Sequence, residues 1–197
     1  ADQGAAGYVW PGGIPNQIVG QKIRFRVIDA GNADVFSDST VSSQIVGKVS
    51  LTAPDGNVKC YVATPCAIKW IPTGTFQNTV TLEYTLDAGT TWNLIGVLGA
   101  GANGVEQTYA GFSPGVDKIT DKFKVRVYDT GHFATVKDTS TSNNLILGIL
   151  SMVLPNGPGI VWNVGDTSRQ IQWNATGNVN QIKLEYSTSS GSAPWTT

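Results

Sequence analysis

The chain has 197 residues with a formal net charge of −1, and only 14% of its residues are charged. Its polarity comes from glycine, serine, threonine and asparagine rather than from glutamate, lysine and arginine, and this composition disfavours helices. A hydrophobic content of 41% with six tryptophans is sufficient for a packed core and excludes a disordered chain.

In chain order, the sequence predicts strands separated by turns rich in glycine and proline. In residues 22–28, Ile23, Phe25 and Val27 face one side and the charged residues between them face the other. No segment has a sustained helical period. We therefore predict an antiparallel β-sandwich, with further strands near residues 48–53, 58–62, 66–71, 79–86, 91–97, 105–109, 121–129 and 135–148.

Two classes of partner are excluded by the charge and hydrophobicity patterns. No basic stripe is available for phosphates, so no nucleic-acid partner is expected. The longest apolar run, 145–154, contains Gly148 and Ser151 and is shorter than the about 20 residues that cross a bilayer, so no membrane insertion is expected. Because the sequence begins at Ala1 without a signal peptide, we expect a mature product or a piece of a longer chain.

The chain contains an internal repeat with a period of about 100 residues. Residues 22–29 (KIRFRVID) match residues 122–129 (KFKVRVYD). The later matches pair residues 51–56 with 153–157, residues 68–70 with 171–173, residues 82–84 with 184–186, and Trp92 with Trp195. A period of this length is typical of an immunoglobulin-like sandwich rather than of a short solenoid unit.

The phase of the repeat predicts three units. Residues 1–47 form the C-terminal part of one repeat, residues 48–148 a complete repeat, and residues 149–197 the N-terminal half of the next. Both junctions read as a continuous strand with one glycine, which predicts a stiff array. The two partial units are complementary, so they are expected to complete each other between neighbouring molecules. The simpler interpretation is that the segment was cut from a longer protein.

A series of motifs follows in a fixed order through each repeat. They are Pro155-Asn-Gly157, Trp162, Gly165, Ile171-x-Trp173, Gly177, Val179, Leu184-x-Tyr186-Ser187, Gly191 and Trp195, followed by Val125-Arg-Val127-x-Asp129 and Asp138-x-Ser140. This order resembles that of the Ig-like repeats of secreted bacterial cell-surface proteins, including S-layer-type proteins. The resemblance implies tandem Ig-like β-sandwiches, one complete and two partial. The central repeat departs from the pattern, because Cys60 and Cys66 lie where the next repeat has Trp162 and Arg169.

The only two cysteines, Cys60 and Cys66, lie six positions apart on the ends of predicted neighbouring strands. In an oxidising compartment this spacing favours a small disulfide loop. A pair of buried free thiols is the alternative. A metal site is disfavoured, because His132 is the only histidine and zinc usually takes four ligands.

Two motifs resemble functional signatures. Residues 85–92, with Asp87, Gly89 and Trp92, fit the Asp-box consensus, in which a carboxylate accepts turn N–H groups and a tryptophan packs beneath a hairpin. We predict a structural hairpin here, the alternative being a blade of a sialidase-like propeller. Gly99-x-Gly101-x-x-Gly104 spells a dinucleotide fingerprint, but the helix that the fingerprint requires is not predicted, so a hairpin loop is favoured.

No catalytic residue and no cofactor are predicted. His132 lies in a predicted surface loop, and no motif supplies it with a nucleophile or a carboxylate partner. Asp117 and Asp121 flank a turn and are calcium candidates. The alternative for the aspartates, including those repeated in each unit, is turn capping and pairing with arginines, namely Arg24, Arg26 and Arg126.

The sequence as a whole predicts a non-enzymatic structural protein, part of an S-layer or similar coat, that self-associates through strand edges and loops and contacts neighbouring repeats of the same longer chain. An adhesin or a carbohydrate-binding accessory module is the alternative, with Trp10, Trp92 or Trp195 stacking on sugar rings. The expected location is extracellular, at the cell surface. Asn174 begins an Asn-x-Thr sequon and is a candidate glycosylation site.

Overall fold

The structure, a computed structural model, describes residues 7–9, 12–14, 20–76 and 79–197. These residues form 15 β-strands and no helix, and therefore contain no helical segment able to cross a membrane. The strands are β1 (Lys22–Ile23), β2 (Arg26–Asp29), β3 (Asn32–Asp38), β4 (Ser43–Gln44), β5 (Lys48–Ala53), β6 (Lys59–Tyr61), β7 (Ile68–Thr73), β8 (Thr79–Thr85), β9 (Asn93–Gly99), β10 (Gln107–Tyr109), β11 (Thr120–Asp129), β12 (Lys137–Thr139), β13 (Asn144–Leu147), β14 (Ile149–Leu154) and β15 (Gln172–Thr176).

Strands β5–β13 form two sheets around one apolar core, and we call this part the central sandwich. One sheet has the order β10-β7-β5, and the other has the order β6-β13-β11-β8-β9, with β12 also pairing with β11. All these pairs are antiparallel except β13 with β6. Because side chains alternate along a strand, Phe123, Val125 and Val127 of β11 all point inward, where they share a core with Leu51 and Trp70 of the opposite sheet. The all-β prediction is confirmed.

The predicted last strand, 135–148, is wrong as a single element. It is divided into β12 and β13, with residues 140–143 outside both strands. The buried hydroxyl of Ser140 accepts the N–H of Val125 at 3.0 Å and donates to the carbonyl of Pro54 at 2.8 Å. The Ser140 hydroxyl therefore satisfies backbone groups of neighbouring segments at the point where the strand is interrupted. The other predicted strands of the central sandwich agree with the structure to within two residues.

The segments on either side of the central sandwich contain a few strands each. In residues 20–47, the N-terminal segment, β1 pairs with β4 and β2 with β3. In residues 149–197, the C-terminal segment, β14 pairs with β15. The β14–β15 pair has the same register as β5–β7, since Met152 lies opposite Trp173 just as Leu51 lies opposite Trp70. The repeat in the sequence is therefore accompanied by a repeat in local structure.

The two junctions pack in the same way around a glycine. A Cβ added to Gly47 would lie 2.7 Å from the Phe76 ring and 3.0 Å from the carbonyl oxygen of Thr73. A Cβ added to Gly148 would lie 2.6 Å from the side chain of Val179 and 3.0 Å from the carbonyl oxygen of Thr176, which is the repeat counterpart of Thr73. An added Cβ on Gly148 would also lie 3.1 Å from Ile119 of the central sandwich, so this glycine lies between two segments. The Gly47 contact continues the pairing of Lys48 with Thr73 at the edge of the central sandwich.

The prediction of a continuous strand through both junctions is only half right. Gly148 alone separates β13 from β14, as predicted. At the first junction residues 45–47 belong to no strand. The reason is that Ile45 is anchored elsewhere, since its N–H donates to the carbonyl of Gln21 and its side chain is buried.

We expect Gly47→Ala to lower the free energy of unfolding by about 1–3 kcal/mol, because the added methyl group overlaps the Phe76 ring and the Thr73 carbonyl. Gly96→Ala is the matched control, since Gly96 lies in β9 and no atom lies within 4 Å of its added Cβ. The measurement is urea denaturation followed by tryptophan fluorescence. Equal stability of the two variants would contradict the tight junction.

Candidate functional site

The turn between β8 and β9 is built around the carboxylate of Asp87. This carboxylate accepts the backbone N–H groups of Thr90 and Thr91, each at 2.9 Å, and the hydroxyl of Thr91 at 2.6 Å. The indole N–H of Trp92 donates to the carbonyl of Gly89 at 3.0 Å. The residues of the predicted Asp box therefore close one hairpin turn. Because this turn joins two neighbouring strands of a sandwich, the propeller alternative is disfavoured.

These hydrogen bonds hold the pKa of Asp87 well below its ordinary value. The largest contribution comes from the hydroxyl of Thr85, followed by that of Thr91, and burial opposes them. A carboxylate stabilised in its charged form is a weak base, and it carries no proton at neutral pH. The motif therefore stabilises the turn, and we call the set of hydrogen bonds to the Asp87 carboxylate the turn lock.

The outer face of the larger sheet carries a stack of aromatic and charged side chains, which we call the outer ladder. The guanidinium of Arg126 lies 4.1 Å from the centre of the Trp92 ring and 5.0 Å from that of Phe133. Its Nε donates to the carboxylate of Glu83 at 2.6 Å, and the hydroxyl of Tyr128 donates to the same carboxylate at 3.2 Å. Lys137 completes the ladder, with its Nζ 4.7 Å from the Phe133 ring.

The ladder is partly shielded from water. The side chains of Arg126 and Glu83 are 19% and 16% exposed, so their attraction is screened less than that of a surface pair. The pKa of Tyr128 is raised, first by burial and then by the neighbouring negative charge of Glu83. Cation–π contact, ion pairing and hydrogen bonding here act on one guanidinium, which fixes β8, β9 and β11 to one another.

The interpretation that Arg126 pairs with the repeated aspartates is wrong. Arg126 points outward from β11, and the register of the sheet places Glu83 of β8 opposite it. Asp138 instead accepts the N–H of Leu51 at 2.8 Å and so links the two sheets. In the N-terminal segment, by contrast, Arg26 does pair with Asp38, at 2.6 Å. A glutamate and an arginine at outward positions of both repeats were the signal that could have identified the Glu83 pair.

The glycine-rich loop of residues 99–104 does not form a dinucleotide site. It leads from β9 towards β10, and no helix follows it. The N–H of Gly104 donates to the carbonyl of Pro72 at 2.7 Å, and Asn103 accepts the N–H of Gly74 at 2.8 Å. The loop therefore packs against the end of β7. The prediction of a hairpin loop is wrong, because β9 and β10 belong to different sheets and the loop crosses between them.

The remaining candidates have local structural partners. The predicted disulfide between Cys60 and Cys66 is present. His132 lies beside Asp129, with 3.3 Å between Nδ1 and Oδ2, and its other ring nitrogen lies 3.4 Å from the amide of Gln44. These contacts place His132 at the junction with the N-terminal segment.

The calcium candidates are not brought together with other ligands. Asp117 forms an ion pair with Lys118 at 2.7 Å, and hydrogen bonding to this lysine lowers the pKa of Asp117. Asp121 is exposed at the start of β11. Among the described residues, no group of three or more histidine, cysteine, aspartate or glutamate side chains is arranged to hold a metal ion. Asn174 is exposed on β15, and its glycosylation stays a prediction.

The two terminal segments expose apolar side chains whose repeat-related counterparts are buried in the central sandwich. Val127 is fully buried, whereas the repeat-related Val27 is 76% exposed. In the C-terminal segment, Leu184 is 43% exposed, while the repeat-related Leu82 of the central sandwich is fully buried. The same residue types at the same repeat positions thus form a core in the middle of the chain and open apolar faces towards its ends.

Tryptophans differ in their access to ligands. Arg126 covers one face of the Trp92 ring, so that face is not free to stack on a sugar. Trp195 is exposed, and Trp10 lies outside the described residues. Trp162 lines a groove of about 290 Å³ on the C-terminal segment, together with Ile160 and Arg169.

We expect Asp87→Asn to reduce the acid sensitivity of the fold. Because the pKa of Asp87 is lowered in the folded state, its charge stabilises the fold above the ordinary carboxyl pKa of about 4, and this contribution is lost as the pH falls below that value. The melting temperature of the wild type should therefore fall more between about pH 5 and about pH 2 than that of the variant. Asp121→Asn is the control and should retain the wild-type pH dependence. An equal fall of the melting temperature with pH in wild type and in Asp87→Asn would contradict this role of the Asp87 carboxylate.

We expect Arg126→Lys to lower the free energy of unfolding by about 1–2 kcal/mol. Lysine keeps the charge but loses the planar stack on Trp92 and the fork that matches the Glu83 carboxylate. Arg24→Lys is the matched control, since Arg24 is exposed and donates only to the carbonyl of Thr40 among the bonds that the structure describes. It should change stability by less than about 0.5 kcal/mol. Denaturant titration measures both, and equal effects would refute the role of the ladder.

Neither a protein-family model nor a curated protein matches this chain. The proposed function is therefore inferred from the structure alone, namely from the central sandwich and the way the neighbouring segments pack on it.

Proposed function

We propose that this chain is a structural part of an extracellular coat, an S-layer or similar array, built from stiffly joined Ig-like repeats. The observation that carries this proposal is the packing around Gly148, where an added Cβ would lie 2.6 Å from Val179 of the C-terminal segment and 3.1 Å from Ile119 of the central sandwich. Such contacts make the orientation of one repeat depend on that of the next. A coat that keeps a fixed geometry over many repeats needs this property, whereas a flexible linker would lose it.

The second junction has additional contacts that favour a fixed angle. The N–H of Asn178 donates to the carbonyl of Val116 at 3.3 Å. A Cβ on Gly177 would lie 3.0 Å from the side chain of Ile119 and 3.1 Å from that of Val62. The C-terminal segment thus rests on the end of the central sandwich through backbone as well as side-chain contacts.

The sheet orders support the Ig-like part of the proposal. Three strands, β5, β7 and β10, lie opposite the sheet β6-β13-β11-β8-β9, so the chain passes between the sheets several times. Repeated crossing of this kind between two mainly antiparallel sheets is typical of Ig-like sandwiches. The Cys60–Cys66 disulfide favours an oxidising compartment, which agrees with an extracellular location at the cell surface.

A second candidate function is adhesion or carbohydrate binding. It is favoured by the groove beside Trp162, where an exposed indole lies near the guanidinium of Arg169. Aromatic faces next to hydrogen-bond donors are suited to sugar rings. A glycan array with Trp162→Ala as the control tests it, and loss of a wild-type signal in that variant would support binding at the groove. No binding by the wild type would remove this candidate.

Small-angle X-ray scattering tests the structural proposal. We expect the wild-type monomer to scatter as one elongated rigid particle, because both junctions are packed. A variant with a Gly-Ser linker inserted after Gly148 should show the broader distance distribution of a flexible chain. Equal flexibility of the two proteins would contradict the proposal. The measurement is extrapolated to zero concentration so that association does not affect it.

A further inference from the structure

We propose that the disulfide between Cys60 and Cys66 fixes the surface on which the C-terminal segment rests, so that this junction becomes stiff only after the chain is oxidised. We call this surface the seat, and it is formed by Val62, Val116 and Ile119 of the central sandwich. The inference rests on the proposed function and adds to it the group that sets the stiffness of one junction.

The C-terminal segment touches the seat through the turn that follows β15. A Cβ added to Gly177 would lie 3.0 Å from the side chain of Ile119 and 3.1 Å from that of Val62. The carbonyl oxygen of Val116 would lie 3.3 Å from the same added atom, and it also accepts the N–H of Asn178 at 3.3 Å. Because the backbone of the turn lies directly on the seat, the position of the C-terminal segment depends on the position of these three residues.

Val62 belongs to the loop that the disulfide closes. Cys60 lies in β6, and its partner Cys66 follows six positions later. The side chain of Val62 is fully buried, and its N–H donates to the carbonyl of Leu147 at 2.9 Å. Leu147 is the residue before Gly148, so the loop is connected both to the C-terminal segment and to the strand that leads into it.

The loop has a conformation that needs external support. Ala63 has a φ of 54°, in the left-handed region that residues other than glycine rarely adopt. β6 has only three residues and lies at the edge of its sheet, where β13 is its partner. Elements with so few hydrogen bonds open locally more readily than the rest of a fold. A covalent bond between the two ends of the loop removes much of the freedom that such opening would gain.

The other two residues of the seat are held to the same loop. Val116 and Ile119 lie in the connection between β10 and β11. This connection accepts two hydrogen bonds from the disulfide loop, from the N–H of Ala63 to the carbonyl of Pro114 and from the N–H of Cys66 to the carbonyl of Phe112, each at 2.8 Å. A change in the loop therefore reaches all three residues of the seat.

The effect is confined to one junction. Cys60 and Cys66 are the only cysteines of the sequence, and both belong to the central sandwich at its contact with the C-terminal segment. The junction at Gly47 is packed on Phe76 and has no cross-link behind it. Oxidation therefore changes the second junction and leaves the first as it is.

Formation of the bond is a thiol–disulfide exchange with a disulfide oxidant. Both thiols lose their protons, the two Sγ atoms join, and the two electrons that they release reduce the oxidant to two thiols, which take up the protons. Oxidising compartments supply such an oxidant. In the folded chain Cys60 and Cys66 are 3% and 7% exposed, so the bond is shielded from reductants once it has formed.

The test refolds the unsubstituted chain under two redox conditions. The chain is unfolded in urea with dithiothreitol and refolded with either dithiothreitol or oxidised glutathione, and amide hydrogen exchange is then followed by nuclear magnetic resonance. We expect the Asn178 amide to exchange at least about tenfold faster in the reduced chain, because its acceptor belongs to the loosened seat. The Ile45 amide, which donates to Gln21 near the first junction, should exchange at the same rate in both samples.

Two variants separate the seat from a general loss of stability. Val62→Ala keeps the disulfide but removes part of the contact with Gly177, and it should accelerate exchange at Asn178 as reduction does. Val136→Ala removes the same two methyl groups from the core beside Asp129, at the other end of β11. It should leave exchange at Asn178 within about twofold of wild type.

Three results would overturn the inference. They are equal exchange at Asn178 in the reduced and oxidised chains, equal acceleration at Asn178 and Ile45, and a reduced chain in which the buried Trp70 loses its near-ultraviolet circular dichroism. The last result would mean that the bond holds the whole central sandwich and not the seat. A wild type that scatters as a rigid particle but whose exchange at Asn178 does not depend on the disulfide would retain the proposed function and refute this inference alone.

Discussion

A β-sandwich repeat buries its core only when strands from both of its halves are present, and this constraint governs the whole chain. In the central sandwich, β11 supplies Phe123, Val125 and Val127, and the opposite sheet supplies Leu51 and Trp70. Full burial of each large apolar side chain contributes about 1.5–3 kcal/mol, so the closed arrangement is strongly favoured over an open one. In the terminal segments, repeat-related side chains such as Val27 and Leu184 are exposed among the described residues.

The polar groups of the central sandwich hold the strands in the geometry that this closure requires. Asp87 fixes the turn between β8 and β9, and Arg126 ties both of these strands to β11 from the outside. At the ends, Gly47 and Gly148 allow the neighbouring segments to pack without a spacer. Their common effect is a stiff unit with fixed joints, and this is the property from which the proposed role in a coat is inferred.

Features that depend on local pattern could be predicted from the sequence, and features that depend on distant pairing could not. The strand predicted near residues 121–129 is present as β11, and the spacing of Cys60 and Cys66 predicted their disulfide. The strand predicted from the alternation in residues 22–28 is divided into β1 and β2, with residues 24–25 outside both. The Glu83–Arg126 pair joins residues 43 positions apart and depends on the register between β8 and β11, which the sequence does not specify. The break at Ser140 likewise depends on a carbonyl 86 positions away. The open faces follow from the repeat phase, but their lack of a covering sheet in the described residues required the structure.

Hydrogen exchange at single amides tests the central claim most directly, because it compares repeat-related positions in one sample. The account predicts that the amides of Val127 and Leu82 are strongly protected, since their strands pair with each other and their side chains are fully buried. The amides of the repeat-related Val27 and Leu184 should exchange faster, because their side chains are exposed. Equal protection of Val27 and Val127, or of Leu184 and Leu82, would contradict the account.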